Sequence, residues 1–124
     1  MKLVVSSCEV VATMDDGGTE IAGGSILVED GVIRWVGSGE PPGADGAEVV
    51  DGRGSVALPG FINTHHHMQQ ALTRCRAQDQ SLFGWLVDLY PTWALVDEEW
   101  MRAAAGVAMA ELALSGCTTS MDHH

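Results

Sequence analysis

Pro59-Gly60-Phe61-Ile62-Asn63-Thr64-His65-His66-His67 is the stretch on which the fold turns. A Pro-Gly pair that interrupts regular structure precedes two bulky apolar residues and two polar ones, the pattern of a buried strand running out into a cluster of histidines. Side chains alternate faces along a strand, so His65 and His67 share one face and His66 takes the other. Two imidazoles at i and i+2 can converge on one ion, and neutral imidazole suits zinc or another first-row divalent metal. Two ligands do not complete a tetrahedral site, and a polar histidine run in a loop has the same composition. The run is internal and follows an apolar strand, which argues against residual tag sequence.

Downstream, Leu82 to Tyr90 reads as a helix ended by Pro91, which has no N–H to continue it. Asp97 reads as an N-cap, with Glu98 and Glu99 well placed against the helix dipole. Trp100 to Leu114 continues as helix, with Met101, Ala104, Ala105, Ala108 and Leu112 on one stripe. Gly116 is the expected stop, and Cys117 to Met121 returns to strand. Strand, helical region and strand make one crossover with two parallel strands. Upstream the texture is different. Leu3–Val5, Val10–Thr13, Glu48–Asp51 and Val56–Leu58 read as short strands of one sheet, separated by polar, glycine-bearing turns at 14–19 and 41–46. Ser25–Glu29 and Val32–Val36 flank Asp30-Gly31, a pair suited to a type I′ hairpin turn. The change of texture divides the chain into 1–58, rich in strands, and 59–124, of α/β character.

Composition narrows the function classes. Of 124 residues 46% are hydrophobic and 19% charged, which fits an ordered globular chain rather than a disordered one. Seventeen acidic against six basic residues give a formal charge of −11, which repels phosphate backbones and anionic lipid, so no nucleic acid and no membrane is expected as partner. No apolar run approaches the ~20 residues that cross a bilayer, and Met1 to Val5 does not begin a signal peptide. The three cysteines, Cys8, Cys75 and Cys117, are odd in number and widely spaced, which points to a reducing, cytoplasmic setting.

The stretch 59–67 closely resembles the first barrel strand of the metal-dependent amidohydrolase superfamily, in which the His-x-His pair supplies two ligands of a catalytic metal. The hairpin at Glu29-Asp30-Gly31 and the turn Asp51-Gly52-Arg53-Gly54 ahead of Leu58-Pro59-Gly60 resemble the N-terminal part of that family's small β-sandwich. The likeness continues through Met68 to Arg74, Leu82 to Leu86 and Gly116 to Ser120. Within the superfamily, His65 to Met68 with Gln70, Leu72 to Arg74 and Asp122-His123 looks most like the 8-oxoguanine deaminase group, often labelled together with hydroxydechloroatrazine ethylaminohydrolase.

The resemblance implies an α/β fold: part of a β-sandwich over 1–58, then the first two strands of a TIM-like (β/α)8 hydrolase barrel over 59–124. It implies His65 and His67 as ligands of a divalent metal, zinc or alternatively iron, and a metal-activated water that deaminates an aminated heterocycle such as an 8-oxoguanine-like purine, releasing ammonia. A triazine, guanine or nucleoside substrate is the alternative within the family. A non-catalytic metal-binding or interaction module is the alternative outside it. Gln70 is either a partner for a purine edge or a solvated amide, and Trp93 with Tyr90 is either an aromatic wall or core. Arg74 reaches either a substrate carbonyl or a surface carboxylate. His66, Asp122 and His123 either support the ligands and substrate from behind or serve as capping and packing groups. A full barrel needs roughly 250 residues. The chain is therefore expected to be an N-terminal piece cut after the second barrel strand and inactive alone. The remaining ligands and the acid/base group would lie on strands it lacks, and the intact enzyme is expected to be a homo-oligomer. His123 and His124 receive no ligand role from the resemblance.

Overall fold

Seven short strands occupy the first 57 residues of the computed structural model, which describes residues 1–123; His124 lies outside the described residues. They are β1 (Lys2–Ser6), β2 (Val10–Ala12), β3 (Glu20–Ala22), β4 (Gly24–Glu29), β5 (Val32–Ser38), β6 (Glu48–Asp51) and β7 (Val56–Ala57). They form two sheets rather than one. A four-stranded sheet has the order β5-β4-β1-β6 and a three-stranded sheet the order β3-β2-β7. The last strand therefore leaves the hairpin's sheet and pairs parallel with β2, through Val10↔Val56 and Val11↔Ala57. The hairpin β4–β5 forms as expected, with Asp30 at φ 51° and Gly31 at φ 77°, the two positive values a type I′ turn requires. Strand β3 has no counterpart in the sequence reading, and Asp15 explains it. Its carboxylate accepts from the backbone and hydroxyl of Thr19 at 2.9 and 2.8 Å, closing the polar loop so that 20–22 folds back on β2. Val4, Cys8, Val11 and Leu27 are buried and make the core of this unit, which extends from Met1 to Pro59.

The second unit begins at Gly60. It holds β8 (Phe61–His66), a 3-10 turn (Met68–Thr73), α1 (Leu82–Trp93), α2 (Glu98–Leu114) and β9 (Cys117–Asp122). Strands β8 and β9 pair in parallel, as the crossover predicts. Gly60 leads into β8 where no side chain fits, because a Cβ there would sit 2.3 Å from the Thr118 methyl. Three expectations change. Pro91 does not end α1, which runs on to Trp93: proline forfeits one hydrogen bond, but Ala94 N–H still donates to the Tyr90 carbonyl at 2.9 Å and closes the last turn. Helix α2 starts with Glu98, directly after Asp97, whose carboxylate accepts from Trp100 N–H at 2.8 Å. Its inner stripe is shorter than expected, with Ala104 and Ala108 fully buried and Met101 36% exposed. Finally, Phe61 and Ile62 are not buried. They are 55% and 68% exposed, because β8 has β9 as its one strand neighbour among the described residues.

Candidate functional site

The C-terminal ends of β8 and β9 bring three histidines together. Extended backbone carries His65 and His67 to one side, and their Nε2 atoms lie 3.0 Å apart. His67 Nδ1 donates to the carbonyl of His123 at 2.8 Å, so its proton is held on Nδ1 and the lone pair of Nε2 faces His65. The His123 ring lies 4.6 Å from that of His65, and its Nε2 donates to the Thr64 carbonyl at 3.3 Å. His123 N–H donates in turn to the His66 carbonyl at 2.8 Å. The strand ends are thus laced by both backbone and imidazole groups.

The pair fits a metal in chemistry and in spacing. Two imidazole nitrogens on a tetrahedral zinc, each at about 2.05 Å, stand about 3.3 Å apart, close to the 3.0 Å between these two, and a bound ion would take the place of the proton they share. Among the described residues no group of three or more His, Cys, Asp or Glu side chains is arranged to hold a metal ion. His65 and His67 therefore form a half-built ligand set.

Beside the pair opens a cleft of about 590 Å³, lined by His65, His66, His67, Gln70, Ala71, Thr73, Arg74, Cys75, Trp85 and Glu111. Gln70 reaches it from the 3-10 turn that follows the histidines. Asp122, at the end of β9, accepts from Met68 N–H at 2.8 Å and so anchors the start of that turn. Arg74 forms a two-pronged pair with Glu111 of α2, at 2.8 and 2.6 Å. The hydrogen bonds from Arg74 hold the Glu111 carboxyl below its ordinary pKa, with smaller help from the charges of Arg74 and His66. Of the two roles open to Arg74, the carboxylate contact is the one formed here. His66 borders the cleft as well, and its Nδ1 is buried with no hydrogen-bond partner among the described residues.

Trp93 is placed outside the lining. Its indole N–H donates to the buried Thr73 hydroxyl at 3.0 Å, and its ring stands edge-on to Trp85 at 5.1 Å. Tyr90 packs edge-on against Trp93 at 5.8 Å and is 59% exposed. The indole that faces the cleft is that of Trp85, which the sequence reading passed over. The signal for it was present, since 85 and 93 are two helical turns apart on one side of α1. Glu111 and Thr73 had no such signal, because each joins the site through a contact between distant elements.

The chain is 46% identical over 92% of its length to an 8-oxoguanine deaminase of Pseudomonas aeruginosa. It is 42% identical over 91% of its length to a hydroxydechloroatrazine ethylaminohydrolase of a Pseudomonas species, strain ADP. This chain belongs to the amidohydrolase superfamily. No family model matches it. Among solved structures, an atrazine chlorohydrolase of Arthrobacter aurescens TC1 complexed with zinc superimposes with a TM-score of 0.87 at 28% identity, over 98% of this chain and 28% of that one. The amidohydrolase chain spans about a quarter of the length of the curated relatives it matches, 26% in both cases. No helix among its described residues is long and apolar enough to cross a membrane.

Proposed function

We propose that this chain carries the first ligand pair and part of the substrate floor of a metal-dependent deaminase acting on an aminated heterocycle. The observation that carries the reading is the convergence of His65 and His67 Nε2 at 3.0 Å on the border of the cleft. The relatives' names support it, since both act on nitrogen heterocycles bearing amine groups, and the zinc in the chlorohydrolase structure supports a divalent metal. We favour zinc, with iron as the alternative. When bound, the metal supplies a nucleophilic water at neutral pH by lowering that water's pKa.

The chain's own residues then hold and orient. His67 presents Nε2 because the His123 carbonyl keeps the ring proton on Nδ1. Gln70 offers both a donor and an acceptor to the edge of a planar ring, and Trp85 offers it an apolar face. Trp93 contributes from behind Trp85. The net reaction replaces a ring C–NH2 by C=O with consumption of water and release of ammonia. The 8-oxoguanine-like purine is the preferred substrate, with guanine, an adenosine analogue or an aminated triazine as rivals. The remaining ligands and the acid/base group lie on further barrel strands in this reading, with residues 1–58 contributing to a β-sandwich.

The test is an ammonia-release assay of the gene product as encoded, loaded with zinc, on a panel of these four ring classes. Turnover of one class, lost with bound metal in both His65→Ala and His67→Ala, is the expected result. Stoichiometric metal with no ammonia from any member would overturn the deaminase reading in favour of metal binding without catalysis.

A further inference from the structure

The turn that carries Gln70 has one buried residue, Thr73, at 4% exposure, and Thr73 is one of two buried polar residues among those described. Its hydroxyl is used twice. It donates to the Gln70 carbonyl at 3.0 Å and accepts from the Trp93 indole N–H at 3.0 Å. A hydroxyl has one donor and two acceptor positions, so this short relay runs in one direction, from Trp93 to Thr73 to Gln70. Trp93 also meets Trp85 edge-on, with ring centroids 5.1 Å apart and planes at 72°. From outside the lining, one indole therefore meets two residues that line the cleft: Trp85 through its ring, and the main-chain carbonyl of Gln70 through the Thr73 hydroxyl.

We propose that Trp93 and Thr73 are positioning residues that fix the spacing between Gln70 and Trp85, and thereby the size of ring the cleft selects. The inference rests on the reading that an aminated heterocycle lies between those two groups. Thr73 is 20 residues from Trp93, on a turn without regular strand or α-helical bonding, so the relay supplies a constraint that secondary structure there does not. The indole is itself held by edge-on contacts with Trp85 and Tyr90, so it gives the turn a partner fixed on α1. The turn must register with the indole.

Three substitutions separate the parts: Thr73→Val removes the hydroxyl and keeps the shape, Thr73→Ser keeps the hydroxyl, and Trp93→Phe keeps a ring without its N–H. In the gene product as encoded, Thr73→Val and Trp93→Phe should raise KM for the preferred ring by about five- to tenfold, the effect of one lost hydrogen bond. kcat should stay within about twofold, the preference between bicyclic purine and monocyclic triazine amines should narrow, and Thr73→Ser should restore it. Equal losses in kcat and KM with an unchanged purine-to-triazine ratio would overturn the proposal. If the unmodified protein turns over no ring, the deaminase reading fails, and the brace is judged by NMR of the 124-residue chain. Thr73→Val must then shift the Trp93 indole N–H and the Gln70 main-chain carbonyl resonances and speed indole exchange, while Thr73→Ser leaves them in place. Unchanged resonances in Thr73→Val would overturn the brace itself.

Discussion

Strands β1 and β4 on one side and β8 and β9 on the other all carry bulky apolar residues, which end in different surroundings. Val4 and Leu27 are 3% and 4% exposed, whereas Phe61, Ile62 and Met121 are 55%, 68% and 59% exposed. The first pair lies inside a four-stranded sheet whose unit also holds a second sheet. The second pair has its ladder and helix α2, and no residue in either strand is buried. Parallel sheets in α/β proteins are covered on both faces, and their strands read as apolar for that reason. The apolar character of β8 thus encodes a demand for cover that the two strands do not meet by themselves. The ends of the same strands are nevertheless tied together by the His67–His123, His66–His123 and Met68–Asp122 bonds, with His66 Nδ1 left unbonded among the described residues.

Substitutions can break this comparison in order of expected effect. Leu27→Ala and Leu89→Ala, at 4% and 1% exposure, should each cost about 2–5 kcal/mol in denaturant unfolding. Ile62→Ala in β8 should stay within about 0.5 kcal/mol. An Ile62→Ala cost equal to that of Leu27→Ala would show that β8 is covered in solution. Gly60→Ala forces a Cβ to 2.3 Å from the Thr118 methyl and should cost about 1–3 kcal/mol, partly relieved when Thr118 is also replaced by Ala. Full additivity of the two changes would show that the strands can slide apart at no cost. Asp97→Ala removes the acceptor for Trp100 N–H at 2.8 Å and should cost about 1 kcal/mol, seen as faster exchange in the first turn of α2.

The smallest effect is electrostatic. Asp51, bonded by Arg53, has its carboxyl pulled down to about 2, and Glu111 is lowered by Arg74. Folded pKa values below the unfolded ones stabilise the native state above the unfolded pKa, and that contribution is lost as pH falls through the folded value. Side-chain carboxyl NMR shifts should accordingly place the Asp51 midpoint near 2 and the Glu111 midpoint below the ordinary glutamate range. The Arg53 pair spans two residues and the Arg74 pair 37, so only acidification through the Glu111 midpoint should also loosen the turn at Met68–Thr73. Loosening of that turn at neutral pH in Glu111→Gln, with no further change on acidification, would confirm the pair as its cause.

The sequence announced what depends on near neighbours. The Asp30-Gly31 hairpin, the Asp97 cap and the parallel pairing around a helical crossover each follow from a local pattern, and each is present. The β3 strand escaped because one side chain, Asp15, redirects a loop whose composition announces only a turn. The extension of α1 past Pro91 escaped because the lost bond is a single one in the last turn. At the candidate site, the same-side placement of His65 and His67 was legible from alternation alone. Thr73, Glu111 and the location of Trp93 were not, since they depend on contacts between residues 20 to 37 apart.

The hydrogen bond from His67 to the His123 carbonyl spans 56 residues, and that separation has a consequence for biosynthesis. While the chain is being made, His67 emerges long before the carbonyl that fixes its ring proton. In the interval its imidazole exchanges freely between two tautomers. The nitrogen that faces His65 becomes a settled lone pair only after residue 123 has left the ribosome and β9 has docked. Maturation of the histidine pair is therefore timed by the arrival of the second strand, not by the synthesis of the histidines themselves.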